Sequence, residues 1–302
     1  MKLIALLIGL LIERLATQLF HLRELRWLDH LIDAGFRQVG RFGSLPALIP
    51  VVLLAAILVL PVFLVIFIAG DKLSGYPYMV LAILVLFFSL GPKDIGEEID
   101  EYCNALQSGD ADEISRSTRA LTEKDPPQDS DERIRLVEEA ACVQANNRVF
   151  AVIFWFVLLG PFGAWSYRVT DLMRRRAVFG ESRRAGESRS NRASDAARLL
   201  HGWLAWLPAR LTAIGFAMAG SFESALGAWR NVASQASLTH SEQSELLLAR
   251  VGSGALALQR GDDESDVERA IRGAGAVKEM LFRLLIIWAA VIAAMTLYGF
   301  FL

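Results

Sequence analysis

Pro46 to Gly70 is a run of twenty-five residues without a single Asp, Glu, Lys, Arg or His. A helix rises about 1.5 Å per residue, so about 20 apolar residues cross the roughly 30 Å of hydrocarbon in a bilayer. A chain holding such a run is constrained more by lipid than by any other solvent. Backbone polar groups in lipid must be satisfied internally, and one segment does that only as a helix. Two further blocks meet the same test. Tyr76 to Leu90 is shorter and also free of charge, with Tyr76 and Tyr78 at its start as interface aromatics. Leu281 to Leu302 carries only Arg283, close enough to its end to snorkel. Only Asp71-Lys72-Leu73-Ser74-Gly75 separates the first two blocks, so they are expected to form an antiparallel hairpin.

Outside these blocks the 302-residue chain carries a near balance of 31 Lys+Arg against 33 Asp+Glu. That excludes a global nucleic-acid footprint. The two cysteines, Cys103 and Cys142, form no CxxC and no disulfide framework. His21, His30, His201 and His240 are scattered without metal-ligand spacing, so the sequence names no metal and no cofactor. Alternating β-rich runs are absent. The fold expected is an all-α integral membrane protein, with about four to six membrane-embedded helices and cytoplasmic amphipathic helices.

Three further segments combine apolar runs with polar or helix-breaking residues. Met1 to Phe20 reads as a retained helix, since it lacks a cleavage site for a signal peptidase. Val149 to Ser166 is apolar but interrupted by Gly160-Pro161 and Gly163, and Leu199 to Gly220 carries Pro208 and Arg210 in its middle. Arginines at 23, 26, 37 and 41, and eight more between Asp171 and His201, assign those stretches to the cytoplasm. A single crossing by 149–166 would put its flanks on opposite sides. A broken, re-entrant segment over 148–170 that turns at Gly160-Pro161 avoids this, because Pro has no N–H and Gly permits a tight turn.

The soluble parts divide by composition. Residues 92–147 are acidic: from 93 on, Asp and Glu outnumber Lys and Arg fifteen to six. Ile95, Ile99, Tyr102 and Leu106 recur at helical spacing there. Residues 171–198 are rich in Arg, Ser and Gly and read as a basic flexible loop lying on anionic headgroups. Residues 199–279 return to amphipathic helical patterning, ahead of a C-terminal transmembrane helix over 280–302. In that last span Ala289, Ala290, Ala293 and Ala294 offer a close-packing face, for the hairpin of the same chain, for a membrane partner or for a second copy.

Gly252-Ser253-Gly254-Ala255-Leu256-Ala257 matches GxGxxA on paper, but no βαβ unit surrounds it, so a dinucleotide site is rejected. No P-loop and no GxSxG exists. What stands out is polar chemistry beside apolar blocks, where ionisable groups are costly and therefore functional candidates. The candidate ligand-binding residues are Arg168, Arg210, Asp171, Tyr167 and Glu139. Gly160, Pro161, Gly163, Trp206 and Pro208 shape the backbone around them. The two arginines either pair with Asp171 or Glu139, or hold an anionic ligand bidentately.

Phe154-Trp155, Gly160-Pro161, Gly163-Ala164, Tyr167-Arg168 and the run Trp206 to Ala213 resemble the AmpE family, within the superfamily of CobD/CbiB membrane proteins. Leu90-Gly91-Pro92-Lys93-Asp94 and the small-residue stretch Ala249 to Leu258 resemble further parts of the same pattern, in the same order. The resemblance implies an inner-membrane signalling modulator linked to β-lactamase induction and cell-wall recycling. It also implies an alternative, a membrane enzyme related to the amide-forming cobinamide-phosphate synthases. Against the enzyme, the family's Glu-Asn and Ser-Asp-Gly positions fall here at Val143-Gln144 and Asn146-Asn147-Arg148, and no catalytic residue is assigned. The partners expected are membrane lipids and a small anionic ligand.

Overall fold

The structure is a computed structural model that describes residues 25–39, 46–72, 76–91, 93–182, 192–233, 239–258 and 264–298. Among the described residues every regular element is helical, and the protein is an all-α membrane protein. The helix expected over Met1 to Phe20 lies outside them. Three helical stretches are long and apolar enough to cross a membrane: Leu48–Ile68, Ser130–Leu159 and Asp266–Leu297. Pro77–Ser89 is a shorter apolar helix.

The described residues fall into two compact units. One draws on 1–92, 148–205 and 292–302, the other on 93–147 and 206–291.

The first unit begins with α1 (Arg26–Val39) and α2 (Leu48–Lys72), followed by α3 (Tyr76–Ser89). It continues with α7 (Ala151–Leu159), α8 (Pro161–Ser182) and the start of α9 (Arg192–Ala219). The apolar stripe of α1 buries Leu28 and Ile32 against Val51, Ala55 and Leu58 of α2 and against Val169, Leu172 and Met173 of α8. Small Ala193, Ala196 and Ala197 at the start of α9 join the same core. Much of α2 points outward instead, with Leu53, Phe63, Phe67 and Ile68 exposed, as a helix facing lipid does. A two-armed ion pair ties α1 to α8: Arg176 Nε donates to Asp33 Oδ1 at 2.7 Å, and Nη2 bonds the other carboxylate oxygen. The hydrogen bond from Arg176 lowers the Asp33 pKa below the usual carboxylate range.

The chain reverses at Gly160. Its backbone (φ 69°, ψ −155°) is in a region essentially reserved for glycine. Pro161 opens α8, where a missing N–H costs nothing. Gly163 then lies against the end of α7: a Cβ there would sit 2.4 Å from the Trp155 carbonyl oxygen. The interruption at Gly160-Pro161 and Gly163 is therefore a helical hairpin.

One indole repairs what a proline breaks, and a second bonds beside another break. Pro208, inside α9, leaves the Leu204 carbonyl without its helical donor. Trp155 Nε1 donates to that carbonyl at 3.1 Å. Pro61, inside α2, does the same to Ile57, and Trp165 Nε1 reaches the adjacent Leu58 carbonyl at 3.4 Å. Trp155→Phe is expected to destabilise the protein by about 1–3 kcal/mol, the cost of an unsatisfied buried acceptor. In a Pro208→Ala background, where the backbone N–H returns, the same change should cost much less. Thermal unfolding of the four proteins in one detergent measures the coupling.

The second unit holds α4 (Ile95–Ser108), α5 (Ala111–Thr122) and α6 (Ser130–Ala145), then the C-terminal part of α9. It closes with α10 (Phe222–Ala233), α11 (His240–Leu256) and most of α12 (Asp266–Leu297). An Asp caps the start of each acidic helix. Asp94 accepts from Gly96 N, Asp110 from Asp112 N and Asp129 from Glu132 N, each at 2.9 Å. Thr239 and Glu242 form a capping box on α11. The GxGxxA stretch is a packing stripe. Glycine at 252 lets Cys142 of α6 approach, since a Cβ there would lie 2.5 Å from its Sγ. The Ala255 carbonyl accepts from Ser221 N at 2.7 Å.

Three sequence-based boundaries move. The loop expected over 171–198 is helical at both ends: α8 runs to Ser182 and α9 starts at Arg192. The arginines that suggested a basic flexible loop on anionic headgroups are partly drawn inward by carboxylates. The acidic region does not stop before an apolar segment either. A π-turn, Asn146–Phe150, joins α6 to α7 without a break. The C-terminal helix begins at Asp266 rather than near 280.

Candidate functional site

Within the first unit, α8 and α9 bring together Tyr167, Arg168, Asp171, Arg174 and His201, all buried. Arg168, Asp171 and Arg174 follow one another at intervals of three, so one side of α8 presents all three in adjacent turns. Arg168 Nη1 donates to Asp171 Oδ2 at 3.0 Å. Arg174 donates to Asp171 Oδ1 from Nη2 at 3.0 Å and from Nε at 3.3 Å. From α9, His201 Nε2 stands 3.1 Å from the Tyr167 hydroxyl and 3.8 Å from Asp171 Oδ1. The Tyr167 and His201 ring centroids are 5.3 Å apart.

Asp171 is 0% exposed and Arg168 1%. Buried charges are tolerated only when paired and hydrogen-bonded. Here one carboxylate accepts from two guanidiniums. The His–Tyr pair adds a polar edge to this group.

The structure unites Tyr167, Arg168 and Asp171. It adds Arg174 and His201, which the sequence reading assigned to a basic loop and to scattered histidines. The signal available for Arg174 was its i+3 spacing from Asp171 on a continued helix. His201 offered none, since its position depends on tertiary packing.

The other candidates lie in the second unit. Glu139 on α6 pairs with Arg250 of α11 at 3.1 Å. Arg210 on α9 holds its guanidinium carbon 3.9 Å from the centre of the Trp206 ring, a cation–π contact. Its Nη1 donates to the Trp206 carbonyl at 3.0 Å. Thr212, in the same run, donates to Asn146 Oδ1 of the π-turn at 3.0 Å, and Asn146 Nδ2 donates to Asn147. A buried amide network thus joins α9 to the π-turn. In the Leu90–Asp94 run, Gly91 meets the stem of Arg148, with its N–H on the Arg148 carbonyl at 3.2 Å. Asp94 supplies the α4 cap.

Over residues 1–302 the sequence matches the family described as "AmpE: Regulatory signalling modulator protein AmpE". It is 27% identical to "Protein AmpE" of Shigella flexneri over 302 residues, covering 99% of each chain. It is 29% identical over 228 residues to "Cobalamin biosynthesis protein CobD" of Stutzerimonas stutzeri strain A1501, covering 75% of this chain and 68% of that one. A protein of the same description from Chromobacterium violaceum is 28% identical over 200 residues, covering 61% of this chain and 56% of that one. No solved structure gives a significant match.

Proposed function

Because the chain belongs to the AmpE family of regulatory signalling modulators, we propose that it is a multi-pass protein of the bacterial inner membrane that adjusts β-lactamase induction in response to cell-wall turnover. The family match over residues 1–302 carries this reading. Its physical core is the buried cluster on α8 and α9. The arginines from Arg174 to Arg176, together with Arg198, support a cytoplasmic position for that end of both helices.

A small anionic molecule beside Arg168 competes with Asp171 for a guanidinium. Release of either arginine alters how α8 and α9 pack. Occupancy then shifts the population between two packings, which is all a sensor needs. The similarity to proteins named CobD supports a second reading, a membrane enzyme of an amide-forming class. Product formation by the purified protein with ATP, Mg²⁺ and candidate substrates is its test.

The deciding experiment compares basal and β-lactam-induced β-lactamase activity in a clean deletion and in the same strain carrying the gene on a plasmid. A severalfold change that the plasmid reverses is the expected result. Identical induction in both strains overturns the proposal.

A further inference from the structure

The two faces of α9 differ sharply. Ala205, Ala209, Thr212, Ala213 and Phe216 are buried. Trp203, Leu207, Leu211, Ile214 and Met218 are exposed, and their spacing of three or four residues makes them one stripe. Trp206 is exposed on the same side. Arg210 falls within this stripe, three residues after Leu207 and four before Ile214. A cation among outward-facing apolar side chains is a costly placement for a membrane protein.

The details soften that cost in a specific way. Trp206 holds the guanidinium against its ring and takes one N–H on its carbonyl. Among the described residues no carboxylate pairs with Arg210. The remaining N–H donors form a planar fork that suits a phosphate. Tryptophan is also the side chain most at home where headgroups meet hydrocarbon.

We propose that the outward face of α9 contacts lipid, and that Arg210, held in place by Trp206, binds the headgroup phosphate of an anionic phospholipid. The charge of Arg210 and the apolar side chains around it fit a phospholipid better than a dissolved anion, which brings nothing to cover Leu207, Leu211 and Ile214. This assignment is independent of the signalling reading. It also separates Arg210 from Arg168: one meets lipid, the other Asp171.

The test uses the full-length protein in nanodiscs of equal phosphatidylglycerol and phosphatidylcholine. Lipids retained after mild delipidation are counted by native mass spectrometry. Wild type is expected to favour phosphatidylglycerol about fivefold, the size of one basic residue's interaction with an anionic surface. Arg210→Gln should bring the ratio close to one, and Arg210→Lys should keep part of the preference. An unchanged ratio in Arg210→Gln overturns the proposal. If that variant does not accumulate, an absence of preference in the wild type overturns it equally. Arg210-dependent binding of inorganic phosphate in discs of phosphatidylcholine alone would reassign the site to a soluble anion. A dimer that retains no lipid would reassign the face to a second copy. Either result refutes the lipid site.

Discussion

Asp171→Asn is expected to lower stability by about 3–5 kcal/mol, the usual cost of removing one partner from a buried ion pair. The carboxylate accepts from both Arg168 and Arg174, and it is fully buried. Asn keeps the shape but offers one carbonyl oxygen and no charge, so two guanidiniums stay buried where one anion held them. The comparison that gives this prediction its force is Arg168→Met. Methionine fills much of the space, and Asp171 keeps Arg174. The expected loss is then about 1.5–3 kcal/mol, that of a hydrogen bond to a charged group. Thermal unfolding in mild detergent, followed by circular dichroism, reads both variants. Equal losses would mean that the charge balance of the cluster has no part in its stability.

The second large effect concerns Gly163. A Cβ there meets the Trp155 carbonyl oxygen at 2.4 Å and the Leu159 Cβ at 2.7 Å. The first is backbone and cannot rotate away. Gly163→Ala should therefore sit at the upper end of the cost of overpacking, about 3 kcal/mol. Gly227, exposed on α10, is the control, because nothing lies within 4 Å of its would-be Cβ. Alanine at Gly227 is expected to be neutral or to stabilise by about 0.5–1 kcal/mol, since alanine suits a helix interior better. Accumulation in membranes and unfolding midpoints distinguish the pair. Equal behaviour of the two variants would contradict a close-packed α7–α8 hairpin.

Much of this architecture could be read from the chain. Pro46 to Gly70 and Tyr76 to Leu90 became α2 and α3 because charge-free runs in lipid have little choice but a helix. Gly160-Pro161 marked a reversal because each residue alone is hard to place in mid-helix, and Gly163 marked a close approach. Rejecting a nucleotide site at Gly252–Ala257 followed from the absence of strands, and those residues serve helix packing. The sequence misled at 171–182 and 192–198, where arginine and serine content suggested a loop. Composition counts charges but does not reveal that Arg174 turns back to Asp171 or that Arg176 crosses to Asp33. Likewise, Trp155 and Pro208 stood in two separate motifs. Their link through the Leu204 carbonyl exists only once α7 and α9 are side by side. Long-range partners of this kind leave no periodic trace.

The way the chain is shared between the two units bears on how the protein is made. The first unit takes residues from before 93, from 148–205 and from 292 onward, with stretches of the second unit in between. A ribosome adding about 5–20 residues per second spends roughly 3–11 seconds on residues 93–147 alone. Throughout that interval α1, α2 and α3 wait without α8, the helix that supplies much of their core. Premature exposure of these apolar surfaces is therefore inherent in the order of synthesis, and the nascent chain depends on lipid or an insertion factor to shield them until α8 emerges.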